Sequence, residues 1–309
     1  LLGSIRIGGT DDDGVNINPT RAGRSSLQYN YGDDGRSEVI LDDANNIILS
    51  SNTQSTNFYT KNAAPSVADF EIVGAISKTE VINSLAPLNK NWEAKKVSIP
   101  KIASTNTAAS SKIYFYDVPG AKQSVIRIGY LALAATDADF YPAKIMNYRL
   151  GGGGFASQLT QELREGKGYT YGINSSFNGS VHKGPFTISS GVRSNVTFES
   201  VSLIKEIVAH YGKNFNENDL EVTKGYLIKS NARAFETLSA KLEMLHDIGN
   251  YNYADDYAKQ QETIVKKITL DELKKLSEKY LNANKMIYLV VGDAETQLKK
   301  LEEIGFGAP

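Results

Sequence analysis

Residues 151–171 read GGGGFASQLTQELREGKGYTY, and the interpretation of the whole chain turns on them. Four consecutive glycines, Gly151 to Gly154, lead into helical spacing from Phe155 to Glu165. Gly166 and Gly168 then bracket a change of period, and Tyr169 to Phe177 reads as a strand. Arg164 and Tyr171 stand seven residues apart on opposite sides of that tight turn, a spacing that lets their tips converge on one point. A guanidinium offers a rigid fork of donors to a peptide carbonyl. A phenol offers one donor to a developing oxyanion. Each residue also has a plainer use: tyrosine packs in strands, arginine at a helix end is solvated, and a glycine run is a flexible joint between helices. The glycines equally suit a loop whose bare backbone approaches a bound chain closely. A phosphate loop is excluded by context, because the glycines follow a helix and no Gly-Lys-Ser/Thr comes after them.

Working outward, Lys112 to Val118 is a β-rich run ended by Pro119-Gly120, and Gln123 to Leu133 is a long, mostly apolar second strand. Asp139 to Leu150 has helical spacing, and Pro185 to Val192 is a strand facing the one that begins at Tyr169. Thr197 to Tyr211 is amphipathic, with Val201, Ile204, Val208 and Tyr211 on one face. Asn218 to about Asn250 reads as one long helix or a broken pair. Leu270 to Leu281 is helical, Met286 to Val291 a strand, and Glu295 to Ile304 a final helix. Strands come in neighbouring pairs rather than in strict alternation with helices. That predicts an α+β fold, a mixed and largely antiparallel sheet covered by helices on one face.

The first 65 residues are rich in Gly, Asn, Asp, Ser and Thr. A short apolar stretch (Leu1 to Ile7) and helices near Leu27 to Tyr31 and Leu41 to Ile48 are expected there. Phe70 to Val73 reads as a strand, and Ser77 with Glu80 as a capping box opening a helix that runs to about Trp92. This stretch echoes the end of the chain. Phe70 to Ala75 matches Tyr288 to Asp293 in pattern, and Leu41-Asp42-Asp43 matches Leu270-Asp271-Glu272, each expected to open a helix. Gly74 and Gly292 are 218 residues apart, a whole domain's length. The expected organisation is residues 1–95 as the carboxy-terminal part of a first homologous domain, 96–111 as a linker, and 112–309 as a complete second domain. The chain does not begin with Met and carries no charged-then-apolar leader, so it is expected to be processed or partial.

Composition narrows the chemistry. Of 309 residues, 41% are hydrophobic and 22% charged, enough for a substantial core. With 34 Lys+Arg against 35 Asp+Glu and no basic block, nucleic-acid binding is not expected. No apolar run approaches the roughly 20 residues of a membrane span; the longest, Val125 to Ala135, contains Arg127. The absence of cysteine removes disulfides, thiolate nucleophiles and cysteine-type metal sites. It is compatible with a periplasmic or envelope location without fixing one. The three histidines, His182, His210 and His246, lie more than 25 residues apart, and only Glu243 with His246 shares a helical face. No zinc motif and no Gly-x-Ser-x-Gly elbow is present.

Taken together, Gly-Gly, Ser157-x-Leu159, Leu163-Arg164-Glu165 and a tyrosine seven residues after the arginine resemble the carboxy-terminal half of the pitrilysin/insulinase metallopeptidases, including mitochondrial processing peptidase subunits. Lys285 to Asp293 and Phe70 to Glu80 are similar to that family's domain endings. The resemblance covers 112–309 well and about 20–95 loosely. It implies two halves that close around a chamber, one bearing zinc on His-x-x-Glu-His and the other metal-free. Arg164 would grip the substrate backbone beside the cleaved bond, and Tyr171 would donate to the tetrahedral intermediate. Gly151, Gly152, Gly153, Gly154 and Phe155 would contact an extended peptide, which would bind by adding to a strand edge. His-x-x-Glu-His is absent here, so no cofactor is expected in this chain and zinc is expected in a partner half, in cis or trans. The chain alone should be inert. The alternative is a structural or peptide-binding subunit of the same fold with no proteolytic role.

Overall fold

The computed structural model describes residues 37–41, 47–51, 72–91, 110–231 and 234–309. The chain forms two compact units, Leu1–Ala103 and Ser104–Pro309.

In the first unit, β1 (Ser37–Leu41) and β2 (Ile47–Ser51) pair antiparallel, Ser37 against Ser51 and Leu41 against Ile47. Where a helix is expected at Leu41 to Ile48, Leu41, Ile47 and Ile48 lie instead in this strand pair. Its arms, SEVIL and IILSS, carry the β-branched residues that favour a pleated surface, and short apolar runs do not distinguish helix from strand by period alone. With that helix gone, the upstream half of the internal echo fails. Ile72 and Val73 lie in no strand, which weakens the other half, and Phe70 and Glu71 fall outside the described residues. So do the stretches Leu1 to Ile7 and Leu27 to Tyr31, Trp92, and most of the expected linker. Helix α1 (Lys78–Asn91) starts where its box predicts. The Ser77 amide donates to Glu80 Oε2 at 2.7 Å, and the Glu80 amide donates to Ser77 Oγ at 3.2 Å. The box also holds the Glu80 carboxyl below its usual range.

In the second unit, β3 (Lys112–Asp117), β4 (Gln123–Leu133), β5 (Thr170–Phe177), β6 (Gly184–Arg193) and β7 (Ile287–Gly292) form one sheet in the order β3-β7-β4-β6-β5. Only β3 and β7 run parallel; the other pairs are antiparallel. Alternation decides the faces. Ile126 and Ile128 on β4, Phe186 and Ile188 on β6, Ile173 and Phe177 on β5, and Tyr288 and Val290 on β7 are buried together. Helices α2 (Phe140–Asn147), α4 (Thr197–Asn214) and α8 (Leu270–Tyr280) close over them with Ile145, Met146, Val201, Ile204, Val208, Tyr211, Leu273 and Leu276. Each fully buried side chain of this size contributes about 1.5–3 kcal/mol. The other face leaves Tyr114, Tyr116, Val125 and Ile287 exposed. The α+β prediction holds, with helices on one side.

Between α2 and β5 the chain makes two wide turns. Tyr148–Gly152 and Gln161–Gly166 are π-helical and flank a 3₁₀ turn at Gly154–Ala156 and a short helix, α3 (Gln158–Thr160). The long stretch after residue 217 is the broken pair, α5 (Glu217–Asn231) and α6 (Leu238–Tyr251). Helix α7 (Tyr257–Lys267), not anticipated from the sequence, fills the gap before α8, and α9 (Ala294–Leu301) follows β7. No described helix is long and apolar enough to cross a membrane.

Candidate active-site cleft

The turn that ends the second π segment positions the site. Gly168 adopts the left-handed conformation (φ 61°) that glycine tolerates. Its amide donates to the Arg164 carbonyl at 3.0 Å, and the Tyr169 amide to the Leu163 carbonyl at 2.9 Å. These bonds close the last helical carbonyls and reverse the chain into β5. From opposite arms of that reversal, Arg164 and Tyr171 line one cleft of about 410 Å³. Gln123, Thr170, Gly191 and Arg193 complete its walls.

Within it, Arg164 has its Nε 3.4 Å from Glu165 Oε1, and its Cζ lies 4.5 Å from the centroid of the Phe155 ring. Tyr171 is 90% exposed. Among the described residues its phenol makes no hydrogen bond, so its donor faces water. Arg193, on the third side, donates from Nη2 to the Gly168 carbonyl at 3.2 Å. Sequence reasoning missed Arg193, Gln123 and Thr170. Their only advance signal was Arg193's place at the end of the strand that pairs with β5.

The four glycines divide by geometry. A Cβ on Gly151 would lie 2.3 Å from Ser175 Oγ and 2.7 Å from the Ser175 amide nitrogen. On Gly152 it would meet Asn147 Nδ2 at 2.9 Å, and on Gly153 the Tyr148 carbonyl oxygen at 2.7 Å. These three are bare because the chain packs against itself there. Gly154 (φ 56°) faces open space, and Phe155 beside it is exposed.

The same packing bears on strand addition. The Ser175 carbonyl accepts from Asn147 Nδ2 at 2.7 Å, and the Ile173 carbonyl accepts from Thr160 Oγ1 at 3.3 Å. A peptide adding to β5 along 173–175 would have to displace these side chains.

Metal ligation has no comparable support. Glu243 and His246 lie one turn apart on α6, but among the described residues no group of three or more His, Asp or Glu side chains could hold a metal ion. His210, near the end of α4, has its Nδ1 3.0 Å from the Glu206 carbonyl.

Comparison with known proteins then places the chain. The family described as "Peptidase M16 inactive domain" matches residues 51–227, more than half of it. The chain belongs to the M16 inactive-domain family. It is 24% identical over 196 residues to the "Non-peptidase homolog YmxG" of Helicobacter pylori, covering 61% of this chain and 43% of that protein. Among solved structures it resembles the peptidase M16 inactive domain from Pseudomonas fluorescens at 26% identity and TM-score 0.64, covering 72% of this chain and 53% of that one. A protease of Helicobacter pylori shares the fold at 15% identity and TM-score 0.62, with 71% and 54% covered. The chain thus spans about half the length of the relatives it matches. The family resemblance carried by residues 151–171, 285–293 and 70–80 and the α+β fold expected from the neighbouring strand pairs are those found.

Proposed function

We propose that this chain is the zinc-less, substrate-clamping half of an M16 endopeptidase that acts on extended peptides. Arg164 offers its fork of donors to a backbone carbonyl beside the cleaved bond. Tyr171 donates to the oxyanion that develops when water attacks that bond. Zinc, and the water it activates, belong to the metal-bearing homologous half. The observation that carries the reading is the shared cleft: Arg164 and Tyr171 border one cavity, and the phenol is 90% exposed. A purely structural subunit has no need of both.

The test is reconstitution of the full chain with a metal-bearing M16 half from the same genome, read with an internally quenched unstructured peptide. The chain alone should cleave nothing, and the pair should cleave. Tyr171→Phe should lower the pair's rate by about 10²–10³. Full activity in that variant would remove Tyr171 from the mechanism. The second reading, a subunit with no proteolytic role, is favoured by the name of the Helicobacter relative, a non-peptidase homolog. Stable assembly with no cleavage under any pairing would select it.

A further inference from the structure

Tyr171 should not be on the surface at all. On β5 the odd-numbered residues Ile173, Ser175 and Phe177 face the core. In an unbroken strand the same parity would turn Tyr171 inward with them. The register shows why it is not: Thr170 pairs with Val192 and Ile173 with Ser190, so Tyr171 and Gly172 together oppose Gly191. This is a β-bulge, one extra residue that resets the alternation and leaves both Tyr171 and Gly172 exposed.

A bulge locally disrupts the ladder, and here two core-facing hydroxyls bond backbone groups at it. Thr170 Oγ1 accepts from the Gly172 amide at 3.0 Å and lies 2.7 Å from the Gly191 carbonyl oxygen and 2.8 Å from that of Gly172. Ser190 Oγ lies 3.0 Å from both Thr170 Oγ1 and the Gly172 carbonyl oxygen. Each hydroxyl has one proton. With Thr170 donating to Gly191 and Ser190 to Gly172, each of these three backbone groups has a hydroxyl partner. Both side chains are buried. Aliphatic residues would fill that space equally well but could not bond the bulge, so straightening the strand would become competitive.

We propose that Thr170 and Ser190 are positioning residues whose paired hydroxyls lock the bulge that turns the Tyr171 phenol out of the core and into the cleft. Its bearing on catalysis rests on the proposed role of Tyr171; the lock itself does not.

The experiment uses the full chain with two NMR readouts: amide exchange at Gly172, compared with that of the core amide of Ile188 so that local loosening is separated from unfolding, and the ring resonances of Tyr171, assigned by their loss in Tyr171→Phe. Thr170→Val should speed Gly172 exchange about tenfold or more, as expected for losing one to two hydrogen bonds, and shift the Tyr171 ring signals. Thr170→Ser, which restores the hydroxyl, should return both to wild type. In the reconstituted pair, Thr170→Val should lower kcat more than it raises KM. Wild-type exchange and unshifted Tyr171 signals in Thr170→Val would overturn the proposal. Should Thr170→Val fail to fold, Ser190→Ala removes only the second hydroxyl, and the same two readouts decide. If Tyr171→Phe keeps full activity while Thr170→Val shows the NMR changes, the functional reading falls and the lock stands.

Discussion

Arg149 and Asp219 join the glycine segment to the helix behind it. Arg149 Nε and Nη2 lie 2.9 and 2.8 Å from the same oxygen, Asp219 Oδ1, and Arg149 Nη1 donates to the Ala156 carbonyl. Asp219 in turn accepts the Asn216 amide on Oδ2 at 3.1 Å, just ahead of α5. One guanidinium thus ties the first π turn, the 3₁₀ turn and α5 together. Both partners are largely shielded from solvent, so removing one leaves a poorly hydrated charge. Arg149→Ala should cost about 1–3 kcal/mol, below the fully buried range because some exposure remains. Urea denaturation measures it. Loss of less than about 0.5 kcal/mol would mean the contact is incidental.

The glycine run offers a comparison within four residues. Gly151→Ala places a Cβ against the Ser175 backbone, which cannot swing aside as a side-chain tip can. A cost of about 1–3 kcal/mol is expected from overpacking. Gly154→Ala meets no atom, and its penalty is the left-handed φ alone, about 1 kcal/mol. Thermal melts of the two variants should therefore rank Gly151→Ala as the less stable. The reverse order would mean that the segment moves freely and is not pinned by β5.

How much of this was legible depended on how local its cause was. Helix α4 was readable because Val201, Ile204, Val208 and Tyr211 repeat at helical spacing, and all four are buried. The α1 box was readable because Ser77 and Glu80 are three residues apart. Helix α7 was missed because its large apolar residues are few, Tyr257, Ile264 and Val265, and only Val265 is buried. The Arg164–Tyr171 cleft was legible, since one turn brings both residues to it. The bulge was not, because Thr170 is held by Ser190, twenty residues away on another strand. The π turns were equally hidden, as tertiary bonds such as Arg149 to Asp219 and Tyr211 Oη to the Met146 carbonyl hold that segment.

Acid should loosen the seam between α2 and α8. Asp139 Oδ2 lies 2.7 Å from Lys279 Nζ and 2.7 Å from Tyr280 Oη. These bonds, the lysine's first, hold the Asp139 carboxyl below its usual value of 3.8. A carboxyl with a depressed folded pKa stabilises the fold above its unfolded pKa. That contribution fades as pH falls below about 4 and is gone once the folded pKa is passed. Asp139→Asn should therefore flatten the stability profile in that window and change it little between pH 6 and 8 relative to its own plateau. Denaturation midpoints measured from pH 2.5 to 8 test this. A variant whose acid limb still parallels the wild type would exonerate Asp139.

Phe155 forms a shelf for Arg164. The ring centroid is 4.5 Å from the guanidinium carbon, and Glu165 Oε1 is 3.4 Å from Nε. A cation over an exposed ring is worth about 0.5–1 kcal/mol. With Phe155 61% exposed, little of that supports the fold; it narrows the rotamers of a long side chain that would otherwise be ordered only on binding. Phe155→Ala should leave the melting temperature near wild type and weaken binding of a fluorescein-labelled unstructured peptide about two- to fivefold, the same energy expressed as an affinity ratio. Phe155→Trp should preserve it. Arg164→Lys should lose more, because an ammonium neither lies flat on the ring nor offers a fork to a carbonyl. Fluorescence anisotropy on the full chain reads all three. Unchanged affinity in both Phe155→Ala and Arg164→Lys would remove this end of the cleft from peptide contact.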